Sequence, residues 1–177
     1  SLMKHVMTQI LNPLTDEYYQ LKELVLGKEF PWFYETNPNE LEEGYYFYSH
    51  VFLERPDRCL YPSVRSQHID LFHTVIQQIF EYNNLPIDII YRMNANSIPA
   101  QDGCIAPHVD HEFPHKNLIL YLTDAGGKTF VGDEVHDPKE DDVVIFSGIH
   151  NNERPKNTRR VVLVATYGDS IDCNTTD

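Results

Sequence analysis

The segment Pro107-His108-Val109-Asp110-His111-Glu112 crowds two imidazoles and two carboxylates into six positions. His108 and Asp110 are two residues apart, and on an extended strand such residues point to one face. One short segment can therefore aim an imidazole and a carboxylate at a single cation. A third ligand has to come from elsewhere in the chain. His150 is best placed, because it follows the apolar run Asp142-Val143-Val144-Ile145-Phe146 and the turn-forming Ser147-Gly148-Ile149. Two histidines and one carboxylate form a facial triad that leaves three adjacent positions open on octahedral iron(II). A catalytic zinc would keep a single open position. The open face of iron lets a bidentate co-substrate and O2 bind side by side.

A second pattern overlaps the first. His111-Glu112-Phe113-Pro114-His115 satisfies the His-Glu-x-x-His spacing of zinc peptidases. That motif works only on a helix, where the two histidines share a face. Pro114 inside it would clash with the carbonyl four residues back, at about 3 kcal/mol or more. The zinc reading is therefore set aside, and His111 and Glu112 are left as either the mouth of the metal site or a polar loop. His68 and His73 on an amphipathic helix, and His136 in an acidic loop, read as ordinary histidines.

The elements that must position these groups change character along the chain. Thr15 or Asp16 can cap a helix to about Leu26, with Leu21, Leu24 and Val25 as its apolar stripe and Gly27 as its stop. An aromatic segment, Phe30-Pro31-Trp32-Phe33-Tyr34, follows, and Tyr45–Leu53 reads as a strand. From about Arg65 to Tyr82, Ile69, Phe72, Ile76, Ile79 and Phe80 recur at helical spacing. Beyond Pro86 come short β-type runs: Ile87–Arg92, Cys104–Val109, Leu118–Leu122, Thr129–Val131, Asp142–Phe146 and Arg160–Tyr167. Helices first and many short strands after them predict an α+β, mainly β fold: helices packed on an antiparallel sandwich or barrel, with a jelly roll as the best guess.

Length suits a single domain over residues 1–177, with helical support in 1–85 and a β core in 86–168. No apolar run approaches the roughly 20 residues that span a bilayer, so no membrane association is expected. Ser1-Leu2-Met3-Lys4 reads as a cloning remnant before an initiating methionine and carries no secretion signal. Cys59, Cys104 and Cys173 are odd in number and far apart, which argues against a disulfide framework and for a reducing, cytoplasmic setting. A net charge of −13 repels phosphates, so no nucleic-acid partner is expected; Arg154–Arg160 is the one candidate basic run.

Taken in order, these features resemble the 2-oxoglutarate/iron(II)-dependent dioxygenase superfamily, specifically its prolyl-4-hydroxylase-like branch. That family's pattern is His-x-Asp, then a distant His, then a basic residue about ten positions on. Here these are His108-Val109-Asp110, His150, and Arg159 or Arg160. Leu118-Ile119-Leu120-Tyr121-Leu122-Thr123-Asp124 is similar to the family's strand ending in Tyr-Leu-Asn, with Thr123 where asparagine is common. Gly126-Gly127-Lys128-Thr129-Phe130 is similar to its Gly-Gly-x-Thr-x-Phe turn. The match covers roughly Ile87–Tyr167; earlier residues are only loosely similar, although Phe30-Pro31-Trp32 resembles small phage and marine bacterial members.

The resemblance implies a double-stranded β-helix, Fe(II) held by His108, Asp110 and His150, and 2-oxoglutarate chelating that iron. It further implies that Tyr121 and a basic residue at the start of the last strand bind the far carboxylate of 2-oxoglutarate. A guanidinium's donor fork suits a carboxylate. Adjacent strand residues face opposite ways, so either Arg160 or Arg159 reaches inward; the hydrophobic run after Arg160 favours Arg160. Tyr91 and Asn94 sit where the family approaches the first histidine, and strand-end packing is the preferred role for both. The implied reaction consumes O2 and 2-oxoglutarate, releases succinate and CO2, and hydroxylates a C–H bond, with ascorbate as an optional addition. An intact Asp110 argues against halogenation. The substrate is a prolyl or other peptide or protein, or a small molecule. Glu54–Gln67, Ile98–Cys104 and Asp133–Asp141 are the loops expected around it, with Tyr45, Tyr46 and Tyr48 as an aromatic shelf or simply strand packing. Competing readings are a cupin-like iron enzyme that needs no 2-oxoglutarate and a metal-binding interaction module without turnover. Oligomeric state is not readable.

Overall fold

The computed structural model describes residues 6–36, 45–58, 60 and 62–169. The Ser1–Lys4 segment, Cys59 and Cys173 lie outside the described residues; Cys104 is a free, exposed thiol. In chain order the elements are β1 (Met7–Ile10), α1 (Asp16–Leu26), β2 (Phe33–Glu35), β3 (Phe47–Glu54), a 3-10 turn at Pro56–Arg58, β4 (Ser63–Val64) and α2 (Ile69–Tyr82). Then follow β5 (Ile89–Ile98), β6 (Lys116–Tyr121), β7 (Thr129–Val131), β8 (Glu134–His136), β9 (Val143–Phe146), β10 (His150–Asn152) and β11 (Arg160–Gly168).

The strands form two antiparallel sheets. The larger runs β1-β9-β6-β11-β5-β3-β2, with β4 on β3; the smaller runs β10-β7-β8. Together they make the jelly roll of a double-stranded β-helix. Period-2 alternation sorts the side chains. Leu118, Leu120, Val143, Val161, Leu163, Ala165 and Tyr167 point outward, into a core shared with Leu21 and Val25 of α1 and with Phe72, Ile76, Ile79 and Phe80 of α2. Ile119, Tyr121, Val144, Phe146 and Val162 point the other way, against Val131 of the smaller sheet. The helices therefore brace one face of the larger sheet, and the inner face is left for a site.

Helix α1 begins as the sequence predicts: Thr15 Oγ1 accepts from Tyr18 N at 3.1 Å. Its hydroxyl also reaches Gln78 Oε1 of α2 at 2.7 Å, tying the two helices together. Helix α2 starts later than the expected Arg65, whose N–H instead donates to the Phe52 carbonyl of β3 (2.9 Å). The first 85 residues supply more than helical support, since β1 to β4 belong to the larger sheet. Strand β5 runs to Ile98, past the expected Arg92, through the polar Asn94, Asn96 and Ser97. Cys104–Val109 is not a continuous strand. It pairs only at Cys104 with Glu153 and at His108 with His150, and Pro107 lacks the N–H that a ladder needs. Strands β1, β2 and β8 are too short for alternation to register in the sequence. No helix among the described residues is long and apolar enough to cross a membrane.

Candidate active site

His108, Asp110 and His150 meet on the inner side of the barrel, with one ligand atom from each lying within 4.8 Å of the others. Among the described residues they are the one such group. His108 and His150 exchange both backbone hydrogen bonds (2.9 and 3.0 Å), so the loop before Asp110 and strand β10 are pinned at the same point. Each imidazole is oriented by its own backbone: His108 Nδ1 lies 3.0 Å from the Ala106 carbonyl and His150 Nδ1 lies 3.1 Å from the Gly148 carbonyl. With Nδ1–H donated, Nε2 is the free ligand atom on both rings. These atoms stand 3.7 and 3.6 Å from the Asp110 carboxylate. Three oriented donors with unshared lone pairs fit a divalent first-row metal.

Electrostatics favour the ligating forms. Burial pushes the Asp110 carboxyl up, but Arg92, His150, His108 and Arg55 outweigh it and hold it below the usual range. Burial lowers His150 despite the opposing pull of Asp110, so its imidazole stays neutral. Arg92 Nη1 stands 3.6 Å from Asp110 Oδ1, and Arg55 Nη1 donates to the Asp110 backbone carbonyl at 3.0 Å.

Arg160 and Arg159 part company. Arg160 is on the inner face and 4% exposed. Its guanidinium lies 5.4 Å from the centroid of the Tyr121 ring, and its Nε is buried without a partner. Arg159 points out to the helical layer, where Nη2 donates to the Leu26 carbonyl at the end of α1 (3.3 Å). The Tyr121 hydroxyl shares a 2.6 Å hydrogen bond with Thr129 Oγ1; burial raises its pKa, opposed by Arg160. A buried cation with an unused donor, flanked by a phenol, fits a carboxylate. Thr123, where the family pattern has asparagine, accepts from Val161 N (3.1 Å) and donates to the Arg159 carbonyl (3.0 Å), so its side chain fastens the start of β11.

The His111–His115 segment is not a helix. His111 is buried, with Nε2 2.7 Å from Thr166 Oγ1 and Nδ1 3.2 Å from Asp57 Oδ1. It is therefore an interior bracing group, while Glu112 beside it is exposed. His136 pairs with Asp142 at 3.0 Å. The basic run is no patch: Arg154 is buried over the Tyr45 ring (4.3 Å), Arg159 reaches a helix end, and Arg160 faces inward. Tyr46 stacks on Tyr34 at 5.9 Å, and Tyr91 packs edge-on against Phe113 at 4.8 Å. Sequence reasoning assigned no role to Arg92, Asn117 or Thr129. All three follow from strand register, once β5, β6 and β7 are aligned with their partners.

No family model matches the chain, and no curated protein does. Solved structures do. An oxidoreductase of the 2OG-Fe(II) oxygenase family from Burkholderia pseudomallei superposes with a TM-score of 0.69 at 13% identity, over 92% of this chain and 85% of that one. A prolyl hydroxylase from Trichoplax adhaerens, solved with a peptide fragment of hypoxia inducible factor, gives 0.59 at 11% identity over 97% and 87%. A prolyl-4-hydroxylase from Pseudomonas putida gives 0.57 at 13% identity, over 93% of each chain. At such identities the likeness is one of architecture. This chain has the fold of the 2OG-Fe(II) oxygenases and prolyl hydroxylases.

Proposed function

We propose that the protein is an iron(II)- and 2-oxoglutarate-dependent dioxygenase that hydroxylates a C–H bond of a prolyl, peptidyl or small-molecule substrate. The observation that carries this reading is a juxtaposition on one inner face: an oriented His-Asp-His triad and, further along the same barrel, the buried Arg160 guanidinium beside Tyr121. A metal site alone would serve many chemistries. A metal site that shares an inner face with a buried cation carrying an unused Nε donor suits a co-substrate that chelates at one end and carries a carboxylate at the other.

In this reading His108 Nε2, Asp110 and His150 Nε2 hold Fe(II), and the Ala106 and Gly148 carbonyls fix the two rings. Arg160 and Tyr121 bind the far carboxylate of 2-oxoglutarate, with Thr129 setting the direction of the phenol hydroxyl. Val144, Val162 and Ile119 exclude water between the two ends. The bound metal supplies activation of O2, coupled to decarboxylation of 2-oxoglutarate to succinate and CO2. His150 and Asp110 are the shielded ligands (side chains 9% and 17% exposed), while His108 opens the site to solvent at 44%.

The test is anaerobic titration of the purified chain with Fe(II) or Mn(II) and then 2-oxoglutarate, followed by O2-dependent release of succinate. Binding of both, with succinate formation lost in Asp110→Ala, is expected. Metal binding without any 2-oxoglutarate binding or turnover would sink the proposal in favour of an iron enzyme that does not use this co-substrate.

A further inference from the structure

The inner face of the larger sheet carries a polar row that the metal and co-substrate leave unused. Thr166 of β11 pairs with Asn117 of β6 on one side and with Arg92 of β5 on the other. Asn117 in turn pairs with Phe146 of β9. Phe146, Asn117, Thr166 and Arg92 therefore lie side by side across four strands spaced about 4.8 Å apart. The metal triad sits against this row. The His150 ring packs on Phe146 at 4.8 Å, the Asp110 carboxylate faces Arg92 at 3.6 Å, and His111 holds Thr166.

Arg160 lies six residues before Thr166 on the same strand, at the other end of the barrel. The co-substrate, stretched from the triad toward Arg160 and Tyr121, would leave Asn117 and Arg92 of the row unengaged. Two features there call for a ligand. The side chain of Asn117 is 2% exposed, and neither its Oδ1 nor its Nδ2 has a partner; a buried amide so placed carries a desolvation penalty unless something bonds it. Arg92 is a largely buried cation (side chain 19% exposed) whose facing carboxylate is the one the metal would engage.

We propose that Arg92 and Asn117 form the recognition subsite for the substrate to be oxidised, and that this substrate is a small molecule bearing a free carboxylate. Arg92 takes the carboxylate through its donor fork, and the Asn117 amide bonds a neighbouring polar group or the second carboxylate oxygen. A chain of net charge −13 reserves one of its few interior cations for this contact. The inference rests on the dioxygenase reading above, which supplies the metal and the co-substrate.

The test uses the full chain loaded with Mn(II) and 2-oxoglutarate under argon. The twenty free L-amino acids and their α-amides serve as probes, with binding followed by ligand-observed NMR and calorimetry. Carboxylates are expected to bind, and their matched amides to bind about tenfold more weakly or worse. Arg92→Gln, measured at saturating Mn(II) and 2-oxoglutarate, should erase that preference; any loss of Mn(II) affinity from removing the cation facing Asp110 would fall equally on acids and amides. Asn117→Asp, which leaves Arg92 and Asp110 intact, should weaken the carboxylates and spare the amides. Equal binding of acids and amides, or no binding of any acid, would overturn the subsite. So would an Arg92→Gln protein that loses Mn(II) affinity with the acid preference intact, since Arg92 would then only hold Asp110. Failure of the wild-type chain to bind Mn(II) and 2-oxoglutarate would instead bring down the dioxygenase reading, and the subsite with it.

Discussion

Arg159 and Arg160 are identical in chemistry and opposite in surroundings. One caps the carbonyl end of α1 at the Leu26 oxygen; the other is buried inside the barrel beside Tyr121. Removing the inward guanidinium should cost a charge-assisted pair of hydrogen bonds, about 1.5–3 kcal/mol. Arg160→Gln is therefore expected to weaken 2-oxoglutarate binding roughly tenfold to a hundredfold, with Mn(II) affinity unchanged. Arg159→Gln should leave co-substrate affinity alone and lower thermal stability slightly. Equal effects of the two changes on 2-oxoglutarate titrations would contradict the assignment. His108 and Asp110 were legible as a pair from the His-x-Asp spacing, although they lie in a loop that pairs with β10 at His108 rather than on the expected strand. The choice between the arginines was not, because it depends on the register of β11 against β5 and β6. Arg92 was hidden for the same reason: in a list of residues it is a strand arginine, and only its alignment with Thr166 places it beside Asp110.

Among the elements, the turn before β7 does much to shape the co-substrate end. Gly127 has φ +81°, and a Cβ there would stand 2.8 Å from the Glu153 carbonyl, so both backbone conformation and space demand glycine. The sequence showed the Gly-Gly pair and its neighbours, and a turn was expected there. What it could not show is that this turn carries Thr129 to the Tyr121 hydroxyl. Gly127→Ala should lose about 1–2 kcal/mol from the left-handed conformation alone, which for a chain of this size lowers Tm by about 2–8 °C. It should also weaken 2-oxoglutarate more than Mn(II); the same thermal midpoint as wild type would refute the strain argument. The clear amphipathic helices were read well, since their apolar stripes face one partner. The missed strands β1, β2, β4, β8 and β10 are two to four residues long and take their conformation from pairing, which no local pattern encodes.

At the scale of the whole molecule, the triad joins parts distant in the chain. His108 and Asp110 precede β6, while His150 opens β10 of the smaller sheet. A metal bound there should stabilise the folded state by mass action, about 2.7 kcal/mol at a hundred times Kd. Mn(II) is expected to raise Tm in wild type and not in Asp110→Ala; an equal rise in both would place the binding elsewhere. Acid should act in the opposite sense on the metal-free chain. Burial lowers the pKa of His50, held between the Pro31 carbonyl and Ser66 Oγ, and likewise of His111 and His150. Each stays neutral when folded and takes up a proton near pH 6.5 when unfolded. The stability they contribute is complete above about pH 6.5 and is lost as pH falls below it. Urea unfolding at pH 7.5 and 5.5 measures this, and His50→Gln should flatten the dependence; a constant wild-type midpoint would disprove it.

Strand β11 gathers these scales into nine residues. Val161, Leu163, Ala165 and Tyr167 hold the helices, while Arg160, Val162, Val164 and Thr166 line the interior. Such a strand lets heredity edit the two tasks separately. Substitutions at even-numbered positions can retune what the barrel accepts while the helical layer still folds, and those at odd-numbered positions can adjust robustness without touching chemistry. Gain or loss of a single codon upstream of the strand would exchange the two sets at once, so the lineage of this protein should tolerate replacements along β11 far better than insertions or deletions.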